Sequence, residues 1–265
     1  MLTKKIFRSG LAALLIMFAL TGVSCSGKKT NDDPLGAIKK RGVLKIGVKA
    51  DVPGFGMQNT GTGKYEGFEI EIAKLFAADI FGDASKVEFT PVTAKTRGPL
   101  VDTGEVDMII ATFTITEERK LSYNFTTPYY TDAVGMLVLR SAGLASLKDC
   151  NGKTIGVAQS ATSKDAIDKA AKEQGITLKF AEFATYPELK AALDSKRIDV
   201  FSVDKSILGG YLDAASVILP DQFAPQPYGV VSKLSNTAFA AYTEEKISAW
   251  LADGTIGNLI AQFNL

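Results

Sequence analysis

Short apolar runs alternate with stretches in which apolar residues recur every three or four positions, from about residue 43 to the end of the chain. The apolar runs predict buried strands, and the three-to-four spacing predicts amphipathic helices. The predicted strands are 43–48, 87–91, 107–111, 153–158, 178–183 and 198–203, and the predicted helices between them are 67–78, 98–103, 162–174 and 186–193. Strands that alternate with helices form parallel sheets covered by helices on both faces, so the pattern predicts an α/β protein.

This alternation starts again near Leu147, which suggests two similar halves. Residues 101–107 and 193–199 (VDTGEVD and LDSKRID) share one pattern, although a common helix–turn–strand unit would produce the same similarity by chance. Extended runs at 132–139 and 226–232 flank the second half, so the chain should cross into a second lobe and return.

The C-terminal helices, expected at 243–252 and 256–263, would then pack on the first lobe. We therefore predict a two-lobed α/β fold with two hinge crossovers, in which a ligand between the lobes favours the closed state. The predicted lobes are residues 36–135 with 230–265, and residues 136–229.

The first 35 residues have the pattern of an export signal. Basic residues precede an apolar stretch at 11–23, which is too short for an ordinary transmembrane span. The stretch ends in Gly-Val-Ser-Cys, which resembles a bacterial lipobox with Cys25 as the lipidated residue, although Gly22 stands where Leu is usual. The alternative is a plain secretory signal with an incidental cysteine. We predict a signal peptide at 1–24, a flexible tether at 25–35, and an exported protein held by lipid to a membrane, in the periplasm or on the outer cell surface.

Composition removes several classes of function. Lys and Arg number 30 against 29 Asp and Glu, so the chain lacks the basic excess of a nucleic-acid-binding protein. It has no histidine, which removes the Ser-His-Asp and Cys-His triads and leaves Cys25 and Cys150 unable to form a Cys/His zinc site. We expect no cofactor, no metal and no nucleic-acid partner.

Candidate binding groups lie where predicted strands end and helices begin. Arg119 follows the predicted N-cap Thr116 in a first helical turn, where the helix dipole disfavours a cation, so either a ligand carboxylate or the neighbouring Glu residues should hold it. Asp204 follows a strand and would either bind an ammonium group or cap the next helix. The small residues of 158–164 let a ligand approach a helix N-terminus, with ordinary capping as the alternative.

Five motifs together resemble those of bacterial extracellular solute-binding proteins for polar amino acids, which are components of ABC importers. They are GFEIEIA at 67–73, VDMIIA at 106–111, TITEERK at 114–120, FTTPYY at 125–130 and GVAQS at 156–160. The resemblance covers about residues 36–265. It implies the type II fold of periplasmic binding proteins, an amino-acid ligand, ABC permease subunits as partners, a monomer, and no catalysis.

The resemblance also implies roles for residues that would hold the α-groups of an amino acid. Arg119 should hold the α-carboxylate, helped by Thr114 and by the backbone at Thr112. Thr162 should add a contact from the second lobe, and Asp204 should bind the α-ammonium group.

Within that family the chain is similar to the branch that binds aspartate or glutamate. There, residues matching Lys49, Arg97, Thr112 and Tyr186 receive the side-chain carboxylate, and Phe55 stands where a ring often faces the ligand. Charge counting agrees, because Lys49 and Arg97 leave the pocket at about +2 once the two α-groups are paired, and an unpaired buried charge is costly. We expect glutamate or aspartate. The alternatives are a neutral polar amino acid such as glutamine, or an enzyme of the same fold, such as a cyclic-carboxylate dehydratase.

Overall fold

The computed structural model describes residues 33–265, so the predicted signal peptide and Cys25 lie outside the described residues. The predicted tether to residue 35 needs correction at its end, because a helix begins at Pro34. Asp33 caps this helix by accepting a hydrogen bond from the Gly36 N–H at 2.9 Å, and a proline suits a first helical turn, which has no use for its missing N–H.

Helices and strands alternate over the described range much as the hydrophobic pattern predicts. The elements in chain order are α1 (Pro34–Arg41), β1 (Leu44–Val48), β2 (Asp51–Val52), β3 (Gly56–Gln58), β4 (Tyr65–Glu66), α2 (Phe68–Phe81), β5 (Val87–Pro91), α3 (Arg97–Thr103), β6 (Met108–Ile110), α4 (Glu117–Lys120), β7 (Tyr123–Phe125), β8 (Tyr130–Leu139), β9 (Thr154–Ala158), α5 (Ser163–Glu173), β10 (Lys179–Phe183), α6 (Tyr186–Asp194), β11 (Val200–Asp204), α7 (Lys205–Gly209), β12 (Ser216–Ile218), β13 (Phe223–Tyr228), β14 (Val231–Lys233), α8 (Thr237–Ala252) and α9 (Thr255–Gln262). None of the helices in this range is long and apolar enough to cross a membrane.

The first lobe is built on a five-stranded sheet of order β5-β1-β6-β14-β7. Strands β1, β5 and β6 run parallel, with Ile46 opposite Phe89 on one side and Met108 on the other. The apolar side chains of β1 and β6 are buried and those of β5 are partly buried, and α2, α3 and α8 pack against this sheet. Because parallel strands end at a common edge, the residues just after β1 and β6 come close together.

The second lobe is built on a sheet of order β10-β9-β11-β8-β12, with β13 also paired to β8. Strands β9, β10 and β11 are parallel, and α5, α6 and α7 pack around them. The residues that follow β9 and β11 therefore lie at the strand ends of this lobe.

Strands β8 and β13 carry the chain between the lobes. They pair antiparallel, with Tyr130 opposite Tyr228, and β14 joins the first sheet only three residues after β13 ends. The predicted run 226–232 is thus two strands in two different sheets. Helix α8 contacts β7 and β14, and α9 contacts α2, so the chain ends on the first lobe. The exact division of the lobes at residues 135 and 230 stays a prediction, because β8 passes through position 135 without a break.

A small antiparallel sheet, β2-β3-β4, lies between β1 and α2 in the chain. The turn between β3 and β4 contains Gly61 and Gly63. Gly67 precedes α2 with φ 129°, and a Cβ there would lie 2.3 Å from the carbonyl oxygen of Phe55. Only glycine allows this close approach, which holds the loop containing Phe55 against the start of α2.

Candidate ligand-binding site

The predicted site residues lie where the two lobes meet, with Phe55 joined to the others through the ring of Tyr228. The first lobe contributes its residues from strand ends and the helices that follow, and the second lobe contributes its residues in the same way. They are Lys49, Phe55, Arg97, Thr112, Thr114 and Arg119 from the first lobe, and Thr162, Tyr186 and Asp204 from the second.

Helix α4 has the predicted cap. The Thr116 hydroxyl accepts a hydrogen bond from the Arg119 N–H at 3.1 Å, which places Arg119 in the first turn. Glu117 forms an ion pair with Lys120, at 2.8 Å, and not with Arg119. Glu118 favours the charged form of Arg119 but forms no ion pair with it, so neither neighbouring glutamate holds the guanidinium group.

The Arg119 guanidinium lies between the lobes. Its Nη1 donates to the carbonyl oxygen of Thr114 at 2.8 Å, and its Nη2 donates to the carbonyl oxygen of Ser160, in the second lobe, at 3.0 Å. Burial, with Arg97 nearby as a second cause, lowers the pKa of Arg119 to about 9. Such a group gains from an anion, because the anion would offset the cost of burying its charge.

One amide oxygen joins threonines of the two lobes. Gln226 Oε1 accepts from the Thr114 hydroxyl at 2.8 Å and from the Thr162 hydroxyl at 2.6 Å. Thr162 stands at the N-cap of α5 but makes no capping hydrogen bond, so its hydroxyl turns across to Gln226. The sequence analysis did not single out Gln226. Its only signal was a polar residue at the start of a predicted crossover.

Asp204 ends β11 and precedes α7, but its carboxylate makes no capping hydrogen bond. Instead it accepts a hydrogen bond from the hydroxyl of Tyr228, which the sequence analysis missed. Burial raises the pKa of Asp204 to about 7, against the opposite effects of the Tyr228 hydrogen bond and of Arg97 and Arg119. An ammonium group beside this carboxyl would stabilise its ionised form.

Lys49, directly after β1, points into the protein and is 2% exposed. Its Nζ lies 3.1 Å from Asp51 Oδ1 and 4.5 Å from the ring centre of Tyr186, in the second lobe. Burial is the main cause that lowers the pKa of Lys49, and the Asp51 carboxylate opposes it. Asp51 Oδ2 in turn accepts from the Tyr186 N–H at 3.3 Å, so this acid contacts both lobes.

Arg97 opens α3 and is 3% exposed. Its Nη1 donates to the carbonyl oxygens of Ala111 at 2.6 Å and Thr112 at 2.9 Å, and its guanidinium lies 3.9 Å from the ring centre of Phe113. Burial lowers the pKa of Arg97, while Glu69 and Asp204 favour its charged form. Lys49 and Arg97 therefore both face the interior of the protein. Their places in the site had been predicted only from the family resemblance.

Thr112 follows β6 in the left-handed region, with φ 46°. This turn directs its N–H to Glu69 Oε1, at 2.6 Å, while its carbonyl oxygen accepts from Arg97. Glu69 also accepts from the Tyr129 hydroxyl, at 2.5 Å. Burial raises the pKa of Glu69 to about 7. In the sequence, Glu69 stands out only as a member of the GFEIEIA motif at 67–73, which indicates no role for it.

Phe55 is fully buried among aromatic rings. Its ring centre lies 5.3 Å from Tyr130, 6.0 Å from Phe68 and 6.0 Å from Tyr228, each edge to face. Through Tyr228 this cluster supports the carboxyl group of Asp204.

The charge count made from the sequence needs correction. Two carboxylates that it did not include act on the cations: Asp51 lies 3.1 Å from Lys49, and Glu69 favours the charged form of Arg97. The site thus holds three basic and three acidic side chains, which are Lys49, Arg97, Arg119, Asp51, Glu69 and Asp204.

Metal binding and thiol chemistry have little support within the described residues. No group of three or more Cys, Asp or Glu side chains within residues 33–265 could hold a metal ion. Cys150 is buried, and burial raises the pKa of its thiol to about 11, which leaves little reactive thiolate at neutral pH.

The sequence model of the family described as bacterial extracellular solute-binding proteins, family 3, matches residues 44–264 of this chain. The chain belongs to this family. The family is extracellular, the relatives that match this chain are solute-binding proteins of ABC transporters and not enzymes, and the fold is that of type II periplasmic binding proteins. The predicted lipid attachment at Cys25 lies outside the described residues and stays a prediction.

Two relatives are similar over most of their length. A glutamine-binding protein of Geobacillus stearothermophilus is 39% identical over 238 residues, which are 84% of this chain and 89% of the relative. The ABC transporter glutamine-binding protein GlnH of Bacillus subtilis (strain 168) is 34% identical over 260 residues, covering 95% and 94%.

A solved structure supports the same fold. An ancestral arginine-binding protein bound to arginine aligns with a TM-score of 0.74 and 31% identity, covering 84% of this family 3 chain and 98% of that protein. These comparisons do not confirm the predicted acidic branch, because the two relatives above are named for glutamine.

Proposed function

We propose that this family 3 protein captures a polar amino acid between its lobes and delivers it to an ABC importer. The α-carboxylate would bind Arg119, which already bridges the lobes, and the α-ammonium would bind Asp204. Asp204 is buried and Arg119 is partly buried where the lobes meet, and their charges complement a zwitterion. The names of the relatives, which are amino-acid-binding proteins, support the same ligand class.

The inward orientation of Lys49 and Arg97 supports an acidic ligand side chain. Each is nearly fully buried, on the first lobe, beside Tyr186 or Thr112. We propose glutamate or aspartate as the ligand, with the side-chain carboxylate received by Arg97 and Lys49. A buried guanidinium favours a carboxylate strongly, because two parallel hydrogen bonds and the charge act together.

Glutamine is the second candidate. Two relatives carry that name, and the carboxylates of Asp51 and Glu69 offset the cations near which the ligand side chain would lie. An amide oxygen could accept from Arg97 without adding a negative charge.

A titration of the mature protein with the common amino acids, followed by calorimetry, tests this function. We expect one ligand per chain with no turnover, and glutamate or aspartate bound more tightly than glutamine. Binding of glutamine alone would select the second candidate. Binding of no amino acid would overturn the proposal.

Arg97→Gln sharpens the test of the side-chain site. We expect the affinity for glutamate to fall at least about 30-fold, which corresponds to the loss of about 2 kcal/mol for a buried charged hydrogen bond, and the affinity for glutamine to fall much less. Arg197→Gln, at an exposed position of the second lobe, is the matched control. Equal losses for the two ligands would contradict the assignment of Arg97 to the side chain.

A further inference from the structure

Glu69 is a buried carboxyl group that the α-carboxylate and α-ammonium sites do not use. It lies in the first turn of α2 with no exposed surface. One oxygen, Oε1, accepts from the Thr112 N–H and from the Tyr129 hydroxyl. The other, Oε2, has no hydrogen-bond partner within residues 33–265, and the same is true of Arg97 Nε and Thr112 Oγ1 nearby.

Charged and titratable groups face Glu69 from several elements. They are Lys49 after β1, Arg97 of α3, Tyr129 ahead of β8 and Tyr186 of α6. Lys49 already has a carboxylate partner in Asp51, at 3.1 Å. Glu69 and Arg97 are therefore the remaining opposite charges at the end of the site where the ligand side chain would lie, and both contact Thr112.

The protonation state of Glu69 decides which side chain fits. If Glu69 is ionised it balances Arg97, and a ligand carboxylate there would place two like charges in one buried site. If Glu69 is protonated, Arg97 keeps an uncompensated charge that a ligand carboxylate satisfies. Burial brings the pKa of Glu69 to about 7, so both forms are populated near neutral pH.

We propose that Glu69 is a specificity-determining residue whose protonation state in the complex depends on the ligand. Its carboxylate takes up a proton from solvent when an acidic amino acid binds, and is ionised when an amide ligand such as glutamine binds. This inference rests on the function proposed above. It predicts that the preference between glutamate and glutamine depends on pH, with glutamate favoured on the acidic side.

Calorimetry in two buffers of different ionisation enthalpy measures the protons taken up with each ligand. At pH 7 glutamate should take up as much as about one proton more than glutamine, because a group of pKa about 7 is half protonated in the free protein, so glutamate binding takes up about half a proton and glutamine binding releases about half a proton. Asp204 meets the same ammonium group in both ligands, so its contribution cancels in the difference. Between pH 7 and 8 the affinity for glutamate relative to glutamine should fall by up to about tenfold.

Glu69→Gln keeps both hydrogen bonds to Oε1 and should abolish the proton difference and the pH dependence. Glu71→Gln, at the next acid of α2, which pairs with Lys74 at 2.8 Å, should keep both. An unchanged proton difference in Glu69→Gln would overturn the inference while leaving the proposed function intact. If the protein binds only one of the two ligands, a pH slope of its affinity that is the same in the protein and in Glu69→Gln would overturn it.

Tyr129→Phe covers the case in which Glu69→Gln does not fold. The Tyr129 hydroxyl hydrogen bond lowers the pKa of Glu69, so its removal should shift the pH at which the preference changes to a higher value. No shift in a folded Tyr129→Phe protein would count against Glu69. Failure of the unmodified protein to bind either ligand would instead overturn the proposed function, and with it the inference.

Discussion

Arg119 donates hydrogen bonds to carbonyl oxygens of both lobes. Within residues 33–265 it forms no ion pair, since Glu117 pairs with Lys120, although Asp204 and Glu118 favour its charged form. Its position in the first turn of α4 opposes the helix dipole. An α-carboxylate, which all amino acids carry, would form an ion pair with Arg119 and offset this unfavourable interaction with the helix dipole. The side-chain groups, by contrast, would affect only some ligands.

Arg119→Ala should therefore reduce the affinity for every amino acid that the protein binds. We expect a loss of at least about 30-fold, the effect of removing about 2 kcal/mol or more by truncating one partner of a buried charged pair. Calorimetry with glutamate, aspartate and glutamine measures it. Unchanged affinity, or a loss confined to acidic ligands, would refute the α-carboxylate role.

At the scale of elements, the hydrophobic pattern predicted the strands and helices that carry the site, because each is a local feature of the chain. Strand β5 has the predicted bounds, and Thr116 caps α4 as predicted. Helix α8 begins at Thr237, six residues before the predicted start, and the run 226–232 proved to be two strands.

The contacts between elements were less predictable. Thr112 meets Glu69, 43 residues away, and Thr114 meets Gln226, 112 residues away. No local spacing encodes such pairs, so Gln226, Tyr228, Asp51 and the contacts of Glu69 emerged only from the three-dimensional structure. The family resemblance placed Lys49 and Arg97 at the side-chain end of the site, but not the carboxylates beside them.

The junction between the β2-β3-β4 sheet and α2 depends on a single glycine. Gly67→Ala should lower the free energy of unfolding by about 1–3 kcal/mol, because φ 129° strains an alanine and its Cβ would lie 2.3 Å from the Phe55 carbonyl oxygen. Gly257→Ala, in α9 with open space around it, should instead stabilise by about 0.5–1 kcal/mol. Urea unfolding of both variants measures this. Similar effects of the two substitutions would contradict the constraint at Gly67.

At the scale of the whole molecule, the same charged side chains affect both the free energy of unfolding and the affinity for the ligand. Site groups such as Arg97, Glu69 and Asp204 lie in the interior, where burial opposes their charged forms. Without a ligand, these buried and incompletely paired charges lower the free energy of unfolding of the protein. The resulting loss of stability should depend on pH.

Asp204→Asn tests this pH dependence. The unfolded state ionises Asp204 near its usual pKa of 3.8, whereas the folded state keeps the proton up to about pH 7, so the folded state binds more protons between these values. The free energy of unfolding of the unmodified protein should therefore fall relative to that of Asp204→Asn as pH rises from 4 to 7, by at most about 1.4 kcal/mol per pH unit. Urea unfolding without ligand measures the difference, with the exposed Asp165→Asn as control for a lost charge. A constant difference across this range would show that Asp204 does not carry a raised pKa.

The amide oxygen of Gln226, which accepts from one threonine of each lobe, lies on a strand that connects the lobes. Separation of the lobes must break at least one of these two hydrogen bonds, whatever amino acid is present. Arg97 and Glu69, which are proposed to determine the preference for the ligand side chain, take no part in these two hydrogen bonds. Ligand preference can therefore change through a few substitutions in the course of evolution, or in the engineering of a sensor, while the movement presented to the transporter is preserved.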